Sequence, residues 1–547
     1  MQMVHNAESP DVTTSRVQSI RHRARERVRA ELGELCCWVE TDSVALPLHR
    51  VSEELFVRLM EVALLLLSWW SSLLLDEEEP ATCRVYGAAS YTLSGWRREL
   101  NRTRFGVFFS WEPVYVRHQG KGPLRLHPHA RRMGLAAGRM SLDVHLMVVD
   151  LATRMPFGSV SKVAAVVGMW TPGPRAMLGI VDKLGPKAID VMLDPATPEE
   201  CDEGTHVVLE RDDGGIPHVK PEELATRRRP NRRKTRTGGP ETRLEKRRRR
   251  RGHRVARDRR QTGDKSKNCR MATVYVLYTL RVHEDGTVEG PLNRQVFAAT
   301  GDKTRLRKTV LRAAKARGWG KKPSFYLADG ASSNWTAWKA SFNTGPKVTA
   351  CLDWFHAAEY LWQAADAVFR VVGVAPKGKQ ARRRYKKKKQ TMQDAKSAWV
   401  RARQDELLAG RIDDALQELH ALGAQIGSSG PGTRCRREKV SGAWRYLNNL
   451  RGYLTYSKMG SVVMGTGVVE GTIKQLGARL KGPGMRWSVE RAERLLALRC
   501  LQLSDDAAWE RFEKRVEEDH EAVTSLIVPA ISPTTPLTGH SARKKAA

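Results

Sequence analysis

Between residues 203 and 372 strand-length apolar runs alternate with helical spacing, and their order restricts the folds open to the chain. His206–Leu209 is a short apolar strand running into Asp212-Asp213-Gly214-Gly215-Ile216-Pro217, where the glycines are expected to stop it. Met271–Val282 and Gln295–Ala299 flank the turn Glu284-Asp285-Gly286-Thr287 and read as a hairpin. Arg305–Arg317 has helical spacing. Ser324–Ala328 and Val348–Leu352 read as buried strands ending at Asp329 and Asp353, and a helix follows over Trp354–Val368. This order specifies a mixed sheet with helices packed on it, an α/β core in a chain that is mixed α+β overall. The core is finished only later. Residues 373–455 read as an all-helical, charged insertion, and a helix over about Val468–Leu480 follows Gly465-Thr466-Gly467, with another running to about Leu503.

The expected domains are an α-rich N-terminal region (1–84), hairpins and helices (85–202), the first part of the core (203–372), the insertion (373–455), the rest of the core (456–510) and a partly disordered tail (511–547). No internal repeat is present. In the first region the most apolar run, Val62–Leu75, spans fourteen residues. That is short of the ~20 a membrane span needs, so it reads as a buried helix. Within 85–202, Ser159–Val167 and Pro174–Leu184 are joined by Gly168-Met169-Trp170-Thr171-Pro172-Gly173, the breaker chemistry of a helix-turn-helix. An ordinary helical hairpin fits better, because the second helix offers only Arg175 and Lys183 as cations.

Charge narrows the partner. Ninety-four Lys and Arg against 60 Asp and Glu leave a net charge of +34 and a pI near 10.2. Such a field concentrates phosphate-bearing ligands, so nucleic acid is the first partner to expect. The run Arg227–Arg260, which includes Arg247, Arg248 and Arg249, sets eighteen Lys/Arg against three acidic residues. It has no apolar periodicity and reads as a solvated loop or polar helix, either a clamp on the DNA backbone or an insertion of no consequence. The eight cysteines contain no Cys-x-x-Cys pair and suit a reducing cytosol. With no signal-peptide pattern at the N-terminus, a soluble, cytoplasmic (nucleoid-associated) protein without a membrane partner is expected.

Three carboxylates stand out by position. Asp213 follows a strand, Asp329 ends one, and Glu470 lies in the first turn of a helix. Ligands of open α/β sheets bind at such strand ends. Brought together, the three would suit phosphodiester chemistry by two Mg²⁺ ions, with Mn²⁺ as a substitute, since hard oxygen donors select those ions. Asp353 reads also as a cap for the helix that begins at Trp354.

The segments YLADGASSNW (326–335), CLDWFHAAEYLWQAA (351–365) and MGTGVVEGTIKQLGARLKGPGMRW (464–487) resemble those of bacterial insertion-sequence transposases of the Kra type, which belong to the Asp-Asp-Glu class. The resemblance covers about residues 85–505. It implies an RNase H-like catalytic domain interrupted by the helical insertion, two Mg²⁺ ions, and DNA strand cleavage with strand transfer. The implied partners are double-stranded DNA, both the terminal inverted repeats of the element and its target, bound by a homodimer or larger assembly. Carried over by motif, Asp213, Asp329 and Glu470 are the metal-binding catalytic residues, with Asp212 the alternative at the first position. Asp353 and His356 match a supporting motif, in which the histidine bonds the strand end or touches the DNA backbone. Lys474, Arg479, Lys481 and Arg486 are expected to face phosphate, or to be a solvated basic face. Trp487 would stack on an unpaired base, or close the loop as a buried side chain. Relatives often carry a Cys-rich zinc element near the N-terminus, for which this chain has no paired cysteines.

Overall fold

The computed structural model describes residues 16–76, 80–86, 89–219, 269–371, 378–427, 429, 432–459, 465–482, 485–527 and 532–533. The basic run 227–260, with Arg247, Arg248 and Arg249, lies outside them, as does 534–547. The chain forms two compact units, residues 1–187 with 510–547, and residues 188–509.

The first unit begins with helices α1 (Arg16–Glu40) and α2 (Leu48–Leu73). Strands β1 (Cys83–Tyr86), β2 (Ala89–Thr103), β3 (Gly106–Gln119) and β4 (Arg125–Leu126) form an antiparallel sheet, joined at its edge by β10 (Ser532–Pro533). Helices α3 (Pro128–Arg132), α4 (Leu142–Arg154), α5 (Phe157–Val166) and α6 (Pro174–Leu193) follow, and α15 (Asp506–Ile527) returns from the second unit. The helical pair α5–α6 lies where the sequence places it, but α6 continues nine residues past Leu184, through Pro186. The expectation of a buried apolar helix is not met. In α2 only Val62, Ser71 and Ser72 are buried, while Phe56, Val57, Leu59, Leu66 and Trp70 are exposed. Among the described residues α2 is the one helix long and apolar enough to cross a membrane. Composition set its apolarity, but α2 packs on α1 and β3 with most of its inner residues only half-buried; Arg21 donates to the Ser72 and Leu75 carbonyls and Ser68 to the Phe109 carbonyl.

The second unit holds the mixed sheet. Strands β5 (His206–Pro217), β6 (Cys269–Val282), β7 (Val288–Ala299), β8 (Ser324–Ala328) and β9 (Val348–Leu352) lie in the order β7-β6-β5-β8-β9. The β5–β6 and β6–β7 pairs are antiparallel, and β8 and β9 add in parallel. This is the RNase H-like arrangement. Helices α7 (Lys303–Ala316), α8 (Ser332–Ala337) and α9 (Trp354–Val368) precede a helical insertion of α10 (Lys379–Leu408), α11 (Ile412–Ala424) and α12 (Thr433–Asn449). Then come α13 (Gly467–Leu480), bearing Glu470, and α14 (Val489–Leu503). Ile473 and Leu476 of α13 and Leu496 of α14 pack over Gly214, Ile216 and Val274. The opposite face carries an aromatic cluster, with Tyr326 stacked on Phe342 at 5.5 Å and against Trp338 at 5.3 Å.

One boundary departs from the sequence reading in a way that matters for the site. β5 does not stop at Gly214-Gly215 but pairs with β6 through to Pro217. The ladder of the neighbouring strand supplies what the glycines lack in propensity. Gly214 serves a different purpose, since a Cβ there would lie 3.3 Å from Ile473, so its absence lets α13 approach the sheet.

Candidate active site

Side chains along a strand alternate between the two faces of its sheet, and the neighbours of β5 show which face is which. Glu210 accepts a hydrogen bond from the Val469 backbone N–H at 2.7 Å, and Gly214 abuts Ile473. Glu210, Asp212, Gly214 and Ile216 therefore face the Glu470 helix. Arg211 and Asp213 face the other way. The Arg211 guanidinium lies 5.6 Å from the centre of the Tyr275 ring. Asp213 accepts from the Thr273 hydroxyl at 2.7 Å and the Ser333 hydroxyl at 3.2 Å, and sits 3.6 Å from Arg211 Nη2.

The expected first carboxylate, Asp213, is thus turned away from Glu470 and engaged elsewhere. Asp212 lies on the Glu470-facing side instead, because a shift of one residue exchanges the faces of the strand. Parallel pairing of Arg211 with Ala328, the last residue of β8, sets Asp212, midway along β5, beside Asp329 just past the end of β8. Asp329 is oriented by hydrogen bonds to its Oδ1 from the Ala331 N–H at 2.9 Å and from the Asn334 amide.

Asp353 caps α9 by accepting from the Phe355 N–H at 3.0 Å, as its position in the sequence implies. Its fully buried side chain does more. It accepts from Thr466 N at 3.3 Å and Thr466 Oγ1 at 2.8 Å, and pairs with His356 Nδ1 at 2.6 Å. Thr466 is the residue on which the Glu470 helix begins. Gly465, before it, has no room for a Cβ, which would fall 2.6 Å from the Phe355 ring and 3.3 Å from Asp353. Donor atoms of Asp353, His356 and Glu470 consequently lie within 4.8 Å of one another.

Sequence reasoning passed over Glu210. Its side chain is fully buried, accepts from Tyr278 Oη at 2.6 Å, and with Val469 makes a second anchor for the start of the Glu470 helix. An acidic residue directly after the apolar run Val207-Val208-Leu209, two places before Asp212 and so on its face, was the available signal.

The electrostatics follow from this crowding. Burial pushes the Asp212 carboxyl up to about 6; the hydrogen bond from the Asp213 N–H opposes the rise, and the charges of Asp329 and Asp213 add to it. Burial likewise raises Glu210 to about 7 against the bonds from Tyr278 and Val469. The hydrogen bond to Asp353 raises His356 to about 9, with burial opposing and the charges of Asp353, Asp329 and Glu470 reinforcing it. At neutral pH His356 is thus a cation set among carboxylates.

The basic residues expected to face phosphate divide into two groups. Lys474 and Lys481 are exposed, the first 3.7 Å from Glu470 Oε2. Arg486 is partly buried, with Nη2 3.4 Å from the His218 carbonyl. Arg479 meets neither expectation, whereas Trp487 is the buried side chain that closes the loop. Both are buried, the guanidinium 5.0 Å from the indole centre, and Trp487 Nε1 donates to the Leu480 carbonyl at 3.0 Å. The loop folds back to pair His218 with Trp487, which takes the indole out of reach of any base.

No family model matches the chain, and no curated protein does. Among solved structures it is similar to a Drosophila P element transposase strand transfer complex, at 10% identity and a TM-score of 0.31, over 67% of this chain and 92% of that one. A likeness of that strength carries no inference about activity. The Kra-type resemblance gains no support from these comparisons.

Among the described residues one further group could hold a metal ion, Glu99, Glu112 and His127 in the first unit. There Glu112 already accepts from Arg139 Nη1 at 2.6 Å and the Ala130 N–H at 3.1 Å, and pairs with His127 at 2.6 Å. Its charge is compensated from within the protein, as a buried carboxylate requires.

Proposed function

We propose that this protein is a transposase of the Asp-Asp-Glu class, cleaving DNA strands at the ends of an insertion sequence and joining them to target DNA. The observation that supports this reading is that carboxylates from three distant parts of the chain bear on one imidazole: the charges of Asp329 and Glu470 act on His356, and that of His356 acts on Asp212, while Glu470 itself lies with Asp353 and His356 within 4.8 Å. Their all-oxygen donor set suits Mg²⁺ or Mn²⁺. Burial chiefly raises the Asp212 carboxyl, and the charges of Asp329 and Asp213 add to the rise; divalent cations would offset that added charge. Asp212, Asp329 and Glu470 would hold two such ions, which when bound supply an activated attacking oxygen and a stabilised leaving oxygen.

The chain's own groups do the positioning. Asn334 and the Ala331 N–H orient Asp329, while Glu210 and Asp353 hold the Glu470 helix against the strand ends. His356 balances the carboxylates from within the site. Pairing two DNA ends requires at least two copies of the protein, acting in the cytoplasm on double-stranded DNA.

The test is cleavage and joining of a duplex that carries the inverted repeats flanking the gene, in Mg²⁺. Asp329→Asn should abolish both. Cleavage that survives this substitution would refute the assignment. Cleavage without insertion of a supplied 3′-OH end would reassign the protein as a nuclease or resolvase.

A further inference from the structure

The helical insertion carries a charge run that the proposed chemistry leaves unused. α10 is thirty residues long, and its buried residues, Val400, Arg403, Glu406 and Leu407, all fall in its last third. Just before them, Lys396 pairs with Asp366 at 2.9 Å and lies 5.4 Å from the Trp362 ring centre. The beginning of the helix has no such anchorage. All eight Lys and Arg among residues 379–389 are exposed, and no acidic residue occurs in α10 before Asp394.

That arrangement runs against two rules of helix stability at once. Lys379 and Arg383, Arg382 and Lys386, Arg383 and Lys387, and Arg384 and Lys388 are like charges four residues apart, which repel across one turn. The cations also crowd the end of the helix where the backbone dipole is positive and anions are favoured. A polyanion lying along the helix relieves both. Eleven helical residues extend ~16 Å, and duplex DNA presents about one negative charge per 1.7 Å of its axis, so several phosphates fall within reach of these side chains. The insertion belongs to the same compact unit as the carboxylates and touches their surroundings, since Tyr446 of α12 stacks on Tyr360 and abuts Gly330 beside Asp329.

We propose that the exposed basic half of α10 is a sequence-independent binding surface for the phosphodiester backbone of duplex DNA. The choice of DNA as the polymer rests on the function proposed above; the binding itself does not require catalysis.

The experiment compares two full-length variants that lose the same four charges. One carries Arg382→Gln, Arg383→Gln, Lys386→Gln and Lys387→Gln. The other carries Arg305→Gln, Lys308→Gln, Lys315→Gln and Lys321→Gln, exposed positions on and just beyond α7. Fluorescence anisotropy is measured on two 30-bp duplexes of unrelated sequence over a salt series. The α10 variant should flatten the slope of log affinity against log salt by roughly 3–4, at ~0.9 for each phosphate no longer neutralised, and weaken both duplexes equally. The α7 variant should change the slope by less than about 1. Helix content by circular dichroism should hold or rise in the α10 variant, because repulsion has been removed. Equal effects in the two variants would reduce the surface to net charge and overturn the proposal. So would an unchanged slope, or a loss seen on single-stranded RNA and not on duplex DNA. Metal-dependent cleavage is scored separately, so failure of the catalytic reading leaves this result intact.

Discussion

Glu210→Ala should loosen the Glu470 helix without touching any residue assigned to the chemistry. The carboxylate is fully buried and accepts from two buried donors, Tyr278 Oη at 2.6 Å and Val469 N at 2.7 Å. Leaving both unsatisfied costs about 1–3 kcal/mol each, and the missing side-chain methylene and its packing add roughly 1 kcal/mol. The total, about 3–7 kcal/mol, is a large part of the ~5–15 kcal/mol that holds a typical protein folded. Glu210→Gln keeps the volume and an acceptor for Val469, and its amide can donate to the tyrosine oxygen. Only the tyrosine proton loses its acceptor, so about 1–3 kcal/mol is expected. Urea denaturation followed by tryptophan fluorescence gives the stability difference. Hydrogen exchange read by mass spectrometry locates it, and peptides spanning Val468–Leu476 should exchange faster in the alanine variant while those from β9 keep their protection. If Glu210→Ala costs less than ~1 kcal/mol and exchange in that helix is unchanged, the carboxylate does not anchor it, and the account of how Glu470 is positioned fails.

Three further outcomes follow from the same geometry. Asp212→Asn should lower single-turnover cleavage in Mg²⁺ by roughly 10²–10³-fold, the equivalent of ~3–4 kcal/mol, whereas Asp213→Asn should cost far less; the reverse order would restore Asp213 to the site. Gly330→Ala would set a Cβ 2.2 Å from Tyr446 Cε2, in a ring held 3.8 Å from Tyr360, and should destabilise the second unit by about 1–3 kcal/mol. Adding Tyr446→Ala should recover part of that loss in a double-mutant cycle. In the first unit, burial lowers His129 and His145 from 6.5 to about 4. Because the unfolded chain takes up these protons first, their contribution is complete above pH 6.5 and falls away toward pH 4, by about 2 kcal/mol for each histidine at pH 5. The pH 7.5-to-5 drop in denaturation midpoint should shrink when both are replaced by glutamine, and an unchanged drop would refute the linkage.

Where structure is local, the sequence was readable to the residue. Ser324–Ala328, Val348–Leu352 and Trp354–Val368 are strand, strand and helix as their spacing and flanking residues imply, because short apolar runs bounded by turn or cap residues leave the backbone little choice. Asp329 follows a strand end and Glu470 lies in the first turn of a helix, as the sequence places them, for the same reason. Asp213 was preferred over Asp212 because the two are adjacent and chemically identical. Only the helix that packs against β5 decides which of them faces Glu470, and β5 itself continues past the glycines because β6 pairs with it.

The remaining differences have the same origin. Glu210 matters through an amide 259 residues away. Arg479 is inaccessible because the loop after its helix folds back onto the end of β5 and lays Trp487 beside the guanidinium. The apolar length of α2 is written in its residues, while which of them stay exposed is set by the faces that α1 and β3 cover. Residue type and spacing determined which carboxylates, cations and strands this protein has. Tertiary packing alone decided which carboxylates meet and which cations remain open to a partner, because the facing of a side chain is set by the surface it is pressed against.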